Sequence, residues 1–280
     1  MTEAQTKNHW DSHAAKWRHI GPPLRPCAED TRLFEGILRE WAAGRTAPPN
    51  AVLLGVTPEI ARLAWPPHTR LLAVDKCAGM IARVWPGDEV PFARVVQASW
   101  KYLPVADGEA DVVIGDGCFT TIAFPDDYRA VLRRLRSALK DDGLLIHRFF
   151  VRPPEPESLE AVFADLRAGR IAGLHALKWR IAMALHGPRA EDGVVLNDIW
   201  LAWRDCDVDR GFLQEKLGWT PEVMATIDNY REIPTRYTFP TLEELTAACA
   251  GLFTQTRRCY GTYELAERCP ILVLEPCRPA

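Results

Sequence analysis

The chain has 280 residues, 48% hydrophobic and 25% charged, with a formal net charge of −3. This length buries a sizeable core and suits one elaborated domain or a domain plus a cap, and the ordinary composition excludes extensive disorder. The slightly acidic balance speaks against a nucleic-acid partner, which needs a basic stripe, and no apolar run approaches the roughly 20 residues of a membrane span. The polar start, Met1 to Trp10, lacks a signal-peptide core, so a cytoplasmic location with reduced thiols is expected. Eight cysteines are present without a Cys-x-x-Cys pair, so no metal site is expected.

The N-terminal segment carries Trp10, Asp11, His13 and Trp17, then a bend at Gly21-Pro22-Pro23-Leu24-Arg25-Pro26. Leu33, Phe34, Ile37, Leu38 and Trp41 recur at helical spacing, which predicts a helix from about Asp30, stopped at Gly44. From residue 51 short apolar strands alternate with helices, the signature of parallel βαβ units. Strands are predicted over 51–54, 71–74, 93–96, 112–114 and 144–150. Thr57-Pro58-Glu59 reads as cap, first helical residue and first-turn acid of a short helix. A second helix is predicted over 77–85. A third carries Tyr128, Val131, Leu132, Leu135 and Leu139 on one face and ends at an Asp141-Asp142-Gly143 turn. The strands read as continuous apolar runs, as expected when helices cover both faces. From 158 to 231 only helical periodicity is visible, and a capped helix over 241–250 precedes two last strands, 254–263 and 271–274. The fold class is therefore a doubly wound α/β sheet with a helical insert.

In such sheets ligands bind at the carboxyl ends of the strands. The loop Gly55-Val56-Thr57-Pro58 follows the first strand, where glycine permits close backbone approach and the next helix offers amides to an anion. Asp75 stands at the tip of the second strand, about twenty positions on, where a carboxylate accepts ribose hydroxyls. A dinucleotide site would bring more glycines; Thr57 and Ile60 stand where they would be. A cofactor with ribose and adenine but no phosphates fits better, and S-adenosylmethionine is one.

Val52-Leu53-Leu54-Gly55-Val56-Thr57-Pro58-Glu59 and Leu72-Ala73-Val74-Asp75 resemble motifs one and two of the class I S-adenosylmethionine-dependent methyltransferases. Gln97-Ala98-Ser99-Trp100, Asp111 to Gly117 and Arg136 to Ile146 are similar to the later motifs, in order. The resemblance implies a mostly parallel seven-stranded sheet whose last strand is antiparallel. It implies cofactor contacts from Gly55, Val56, Thr57, Asp75, Met80, Ser99, Trp100, Asp116 and Gly117, with Trp17 on a closing N-terminal segment. Ser99 replaces an acid frequent in the family, which leaves adenine to backbone groups, the Ser99 hydroxyl and Trp100. Residues 1–50 are then an arm and helix serving as lid, 51–155 with 239–280 the cofactor domain, and 156–238 a cap. The tryptophans of that insert, Trp179, Trp200, Trp203 and Trp219, suit its core, an acceptor pocket or a homodimer interface.

The expected activity is methyl transfer to a small-molecule O, N or C nucleophile. The catalytic base is unassigned, with Asp116, His13 and His147 as candidates. A nicotinamide-dependent oxidoreductase and a binding protein without turnover are the competing readings.

Overall fold

The computed structural model describes residues 3–277; residues 1–2 and 278–280, at the outer ends of the predicted arm and cofactor domain, lie outside them. Helix α1 (Glu3–Ala15) comes first, and α2 (Ala28–Ala42) follows the Pro-rich bend. The α/β part then runs β1 (Asn50–Leu54), α3 (Pro58–Ala61), β2 (Arg70–Asp75), α4 (Ala78–Val84), β3 (Ala93–Gln97), β4 (Ala110–Asp116), α5 (Asp126–Ala138) and β5 (Leu139–Arg148). The insert holds α6 (Leu159–Arg167), α7 (Leu174–Leu185), β6 (Val194–Val195), α8 (Leu196–Asp205), α9 (Arg210–Leu217), α10 (Pro221–Met224) and β7 (Arg236–Tyr237). The chain returns through α11 (Leu242–Cys249), β8 (Phe253–Cys259) and β9 (Ile271–Pro276).

The main sheet has seven strands in the order β3-β2-β1-β4-β5-β9-β8. β1 to β5 pair in parallel, and β9 runs antiparallel to both β5 and β8. This is the expected mostly parallel sheet with an antiparallel last strand. Alternation along each strand divides its side chains between two cores. In β1, Val52 and Leu54 join Leu132, Leu135 and Leu245 under α5 and α11. Ala51 and Leu53 face the other way, onto Phe34, Ile37 and Leu38 of α2. The insert builds a core of its own around Leu166, Leu177, Ile181 and Trp203, joined to the sheet through Phe150. Each fully buried Leu or Phe side chain contributes roughly 1.5–3 kcal/mol.

Several expectations are corrected. Glu3–Ala15 form a helix that the sequence reading did not foresee. It is held by tertiary packing on α4, where a Cβ at Gly79 would overlap Asp11. Asp141-Asp142-Gly143 is not a turn ending α5 but part of β5, at a register jump from Ala110↔Leu139 to Val112↔Leu144. Ion pairs Lys140–Asp111 (2.7 Å) and Arg45–Asp142 (3.0 Å) flank that irregularity. β3 is an edge strand and only partly buried, so its faces are not both covered. The insert is not purely helical, because β6 and β7 pair as a ribbon, and α10 gives way to a 3-10 turn over Ala225–Tyr230. Among the described residues no helix is long and apolar enough to cross a membrane.

Because α1 is held by the close approach at Gly79, Gly79→Leu should release it. Amide exchange in α1 is expected to accelerate at least tenfold, roughly 1.4 kcal/mol of lost protection, while the sheet is unchanged. Unchanged protection of α1 would contradict this account of its docking.

Candidate functional site

The strand order reverses between β1 and β4, and a cavity opens at the carboxyl ends of these strands, as doubly wound sheets require. It holds about 910 Å³ of atom-free space, part of it open to solvent. Gly55 forms its floor at φ +91°, a left-handed conformation that other residues adopt only with strain. The Gly55 N–H donates to the Val74 carbonyl (2.8 Å). Asp75 Oδ1 accepts the Cys77 N–H (2.8 Å), while a Cβ built on Gly55 would lie 3.8 Å from Asp75 Oδ2. The second carboxylate oxygen therefore faces the glycine loop. Burial pushes the Asp75 carboxyl up to about 6. The helix after the loop, α3, is a single turn that begins at Pro58, which has no N–H. The predicted amide cluster of a helix start is thus reduced to the loop itself, with Val56 and Thr57 on the cavity wall.

At the tip of β4, Gly117 takes φ +62°, and a Cβ there would overlap the Phe150 ring. Its neighbour Asp116 is held by the fully buried Arg148, which donates from Nε to Oδ1 and from Nη2 to Oδ2 (3.1 Å). Arg148 Nη1 also donates to Asp30 Oδ2 (3.1 Å) and Tyr263 Oη (2.8 Å), and Nη2 to the Pro23 carbonyl (2.9 Å). Tyr263 in turn donates to Asp30 Oδ1 (2.9 Å). Burial raises the Asp116 carboxyl to about 6 against the pull of Arg148.

The N-terminal arm closes one side with Trp10, His13, Trp17, Ile20 and Leu24. Arg25 lies over the Trp17 ring (4.8 Å), donates to the Trp17 carbonyl (2.9 Å), and its Nε donates to Glu59 of α3 (3.0 Å). The arm is thereby tied to the element that follows the glycine loop. Trp100 is pinned by its indole N–H on the Val74 carbonyl (2.7 Å). The insert supplies Trp179, Tyr230 and Tyr237 to the far wall.

Of the predicted site residues, Trp17, Gly55, Val56, Thr57, Asp75, Met80, Trp100, Asp116 and Gly117 all line this one cavity. Ser99 is not among its lining; its hydroxyl caps a 3-10 turn by accepting the Lys101 N–H (3.3 Å). The candidate bases separate as well. His13 lines the cavity, and Asp116 lines it in its ion pair. His147 stands behind Cys118, whose sulfur lies 3.0 Å from Nε2, and burial lowers that imidazole to about 3. Sequence reading missed Cys118, Thr120, Thr121, Tyr230 and Tyr237. The first three follow a strand end, where the topological rule points. The two tyrosines lie far along the insert and carry no spacing signal.

Residues 55–147 match the protein family described as "Methyltransferase domain". No curated protein matches the sequence. Among solved structures, the CcbJ methyltransferase of Streptomyces caelestis aligns at TM-score 0.56 and 14% identity, over 97% of this chain and 99% of that one. The Burkholderia thailandensis 1,6-didemethyltoxoflavin-N1-methyltransferase, solved with 1,6-didemethyltoxoflavin and S-adenosylhomocysteine, aligns at 0.53 and 15% identity, over 98% and 88%. A Rhodobacter sphaeroides protein assigned provisionally to the zinc-dependent alcohol dehydrogenases aligns at 0.56 and 10% identity, over 95% and 99%. At these identities the likeness is one of fold.

The Arg148 cluster sets a stability test. Arg148→Met leaves Asp30 and Asp116 buried without their cation, so urea unfolding should show a loss of about 3–5 kcal/mol. A loss below about 1 kcal/mol, the level of an exposed pair, would mean that the cluster does not hold the strand ends together.

Proposed function

We propose that the chain transfers a methyl group from S-adenosylmethionine to a small-molecule nucleophile, a reading supported by the match of residues 55–147 to the family described as "Methyltransferase domain". The observation that carries this reading is the single cavity at the strand ends that joins Gly55 and Asp75 to an aromatic far wall. The residues present fit the cofactor on two counts. Gly55 leaves room beside Asp75 Oδ2, an acceptor suited to ribose hydroxyls. Met80 and Trp100 offer apolar surface to adenine. The loop at Val56 and Thr57 takes the amino-acid end, beside Asp116 and Gly117, with Trp17 covering it.

When bound, S-adenosylmethionine supplies a methyl group made electrophilic by its sulfonium sulfur. The protein's share is to orient the nucleophile towards that carbon and to keep water out. Residues 1–50 act as lid, 51–155 with 239–280 as cofactor domain, and 156–238 as the cap that completes the acceptor end. Arg148 acts as a positioning residue, since it fixes the Asp116 carboxylate and the bend at Pro23 together.

Isothermal titration of the purified chain with S-adenosylhomocysteine tests the reading: one site per chain is expected, and the absence of binding would sink it. Asp75→Ala should weaken that binding at least tenfold, about 1.4 kcal/mol.

The pH dependence has a definite sign. Ribose hydroxyls donate to the ionised carboxylate, and burial puts Asp75 at about 6. Affinity should therefore be full above neutral pH and fall as the pH drops through about 6. Asp75→Asn should bind more weakly and flatten this profile. A profile unchanged in the variant would assign the titration to Asp116 instead.

A further inference from the structure

The far wall of the cavity is aromatic and carries no charged side chain of its own. Ring contacts run from His13 to Tyr230 (5.6 Å), Tyr230 to Tyr237 (6.2 Å), Tyr237 to Trp179 (6.0 Å) and Trp179 to Phe150 (5.2 Å). Phe150 packs on Gly117, which brings this wall to the tip of β4. Around the cavity, polar atoms of both the arm and the far wall stand without partners among the described residues. Tyr230 Oη, His13 Nε2, Trp17 Nε1 and Trp179 Nε1 are all buried and unpaired, and all belong to cavity-lining side chains. Each such group costs roughly 1–3 kcal/mol, a cost that a ligand pairing them would remove.

The chemistry of that ligand follows from what the wall has and lacks. The charged side chains of the cavity are Asp75, Lys76 and Asp116. Asp75 and Lys76 stand at the β2 tip, and Asp116 is occupied by Arg148. A cationic amine thus meets no free carboxylate at the aromatic end, and a phosphate or polycarboxylate meets no free cationic head. Burial, and after it the neighbouring His9, Lys178, His175 and Lys16, hold His13 well below the usual imidazole range, hence neutral. A neutral imidazole has one acceptor nitrogen, while the tyrosine hydroxyl and the indoles donate. Behind Tyr230, the buried Lys178 amine, which burial pushes down to about 7, lies 5.1 Å from the ring centre and donates to the Thr226 hydroxyl (2.9 Å).

We propose that the acceptor is an uncharged, planar aromatic compound bearing a hydroxyl group, its ring against Trp179 and Tyr237. Its hydroxyl donates to His13 Nε2 and accepts from Tyr230 Oη. The proposal rests on the methyl-transfer reading above, because it assigns the free end of the same cavity.

The test is calorimetric titration of the whole chain, saturated with S-adenosylhomocysteine, with 7-hydroxyquinoline, quinoline and ethanolamine in turn. 7-Hydroxyquinoline should bind at least tenfold more tightly than quinoline, and ethanolamine should give no heat. Tyr230→Phe and His13→Gln should each weaken 7-hydroxyquinoline at least fivefold and leave quinoline and S-adenosylhomocysteine unchanged. If His13→Gln fails to fold, Tyr230→Phe decides alone. Equal binding of the two quinolines, preference for ethanolamine, no binding of either quinoline, or variants that weaken both alike would overturn the assignment. Failure of the unmodified chain to bind S-adenosylhomocysteine would instead remove the reading beneath it.

Discussion

Arg148 is the point on which the site's geometry hangs. It sits at the end of β5, fully buried, and reaches β4 through Asp116, α2 through Asp30, the segment before β9 through Tyr263, and the bend through the Pro23 carbonyl. A buried guanidinium is stable only when its donors are met, and here carboxylates, a phenol and a backbone carbonyl meet them. Segments distant in sequence are thereby fixed relative to one another. The cavity forms where they converge.

From that anchoring the division of labour follows. The sheet presents backbone at Gly55 and Gly117, where the absence of Cβ atoms leaves room beside Asp75 and Phe150. The arm and the insert present side chains, mostly aromatic. One end of the cavity is thus set by backbone conformation, and the other by packed rings. The first is dictated by topology and recurs wherever a strand ends in a glycine turn. The second depends on which residues the insert carries.

Much of this was legible in the sequence, for definite reasons. The parallel strands are short apolar runs between turn residues, and the positions of Gly55 and Asp75 follow from strand ends. The rest was hidden because its cause is tertiary. α1 is polar in sequence and acquires its place from packing at Gly79. Asp141-Asp142-Gly143 has turn chemistry, yet the sheet register and the Lys140–Asp111 pair keep it extended. Ser99 occupies the expected place after β3, but its hydroxyl is used by the local turn. Tyr230 and Tyr237 reach the cavity only because a 3-10 turn and the two-residue pairing of β6 with β7 bring them there.

The arm has one further property. Trp17 and His13 lie on the same short stretch of chain, the first locked to α3 through Arg25 and the second in contact with Tyr230 of the insert. One piece of chain therefore touches both ends of the cavity. Any two ligands that each shift it would alter each other's affinity by the same factor, as thermodynamic reciprocity requires. Order of addition would change the path, not the final balance.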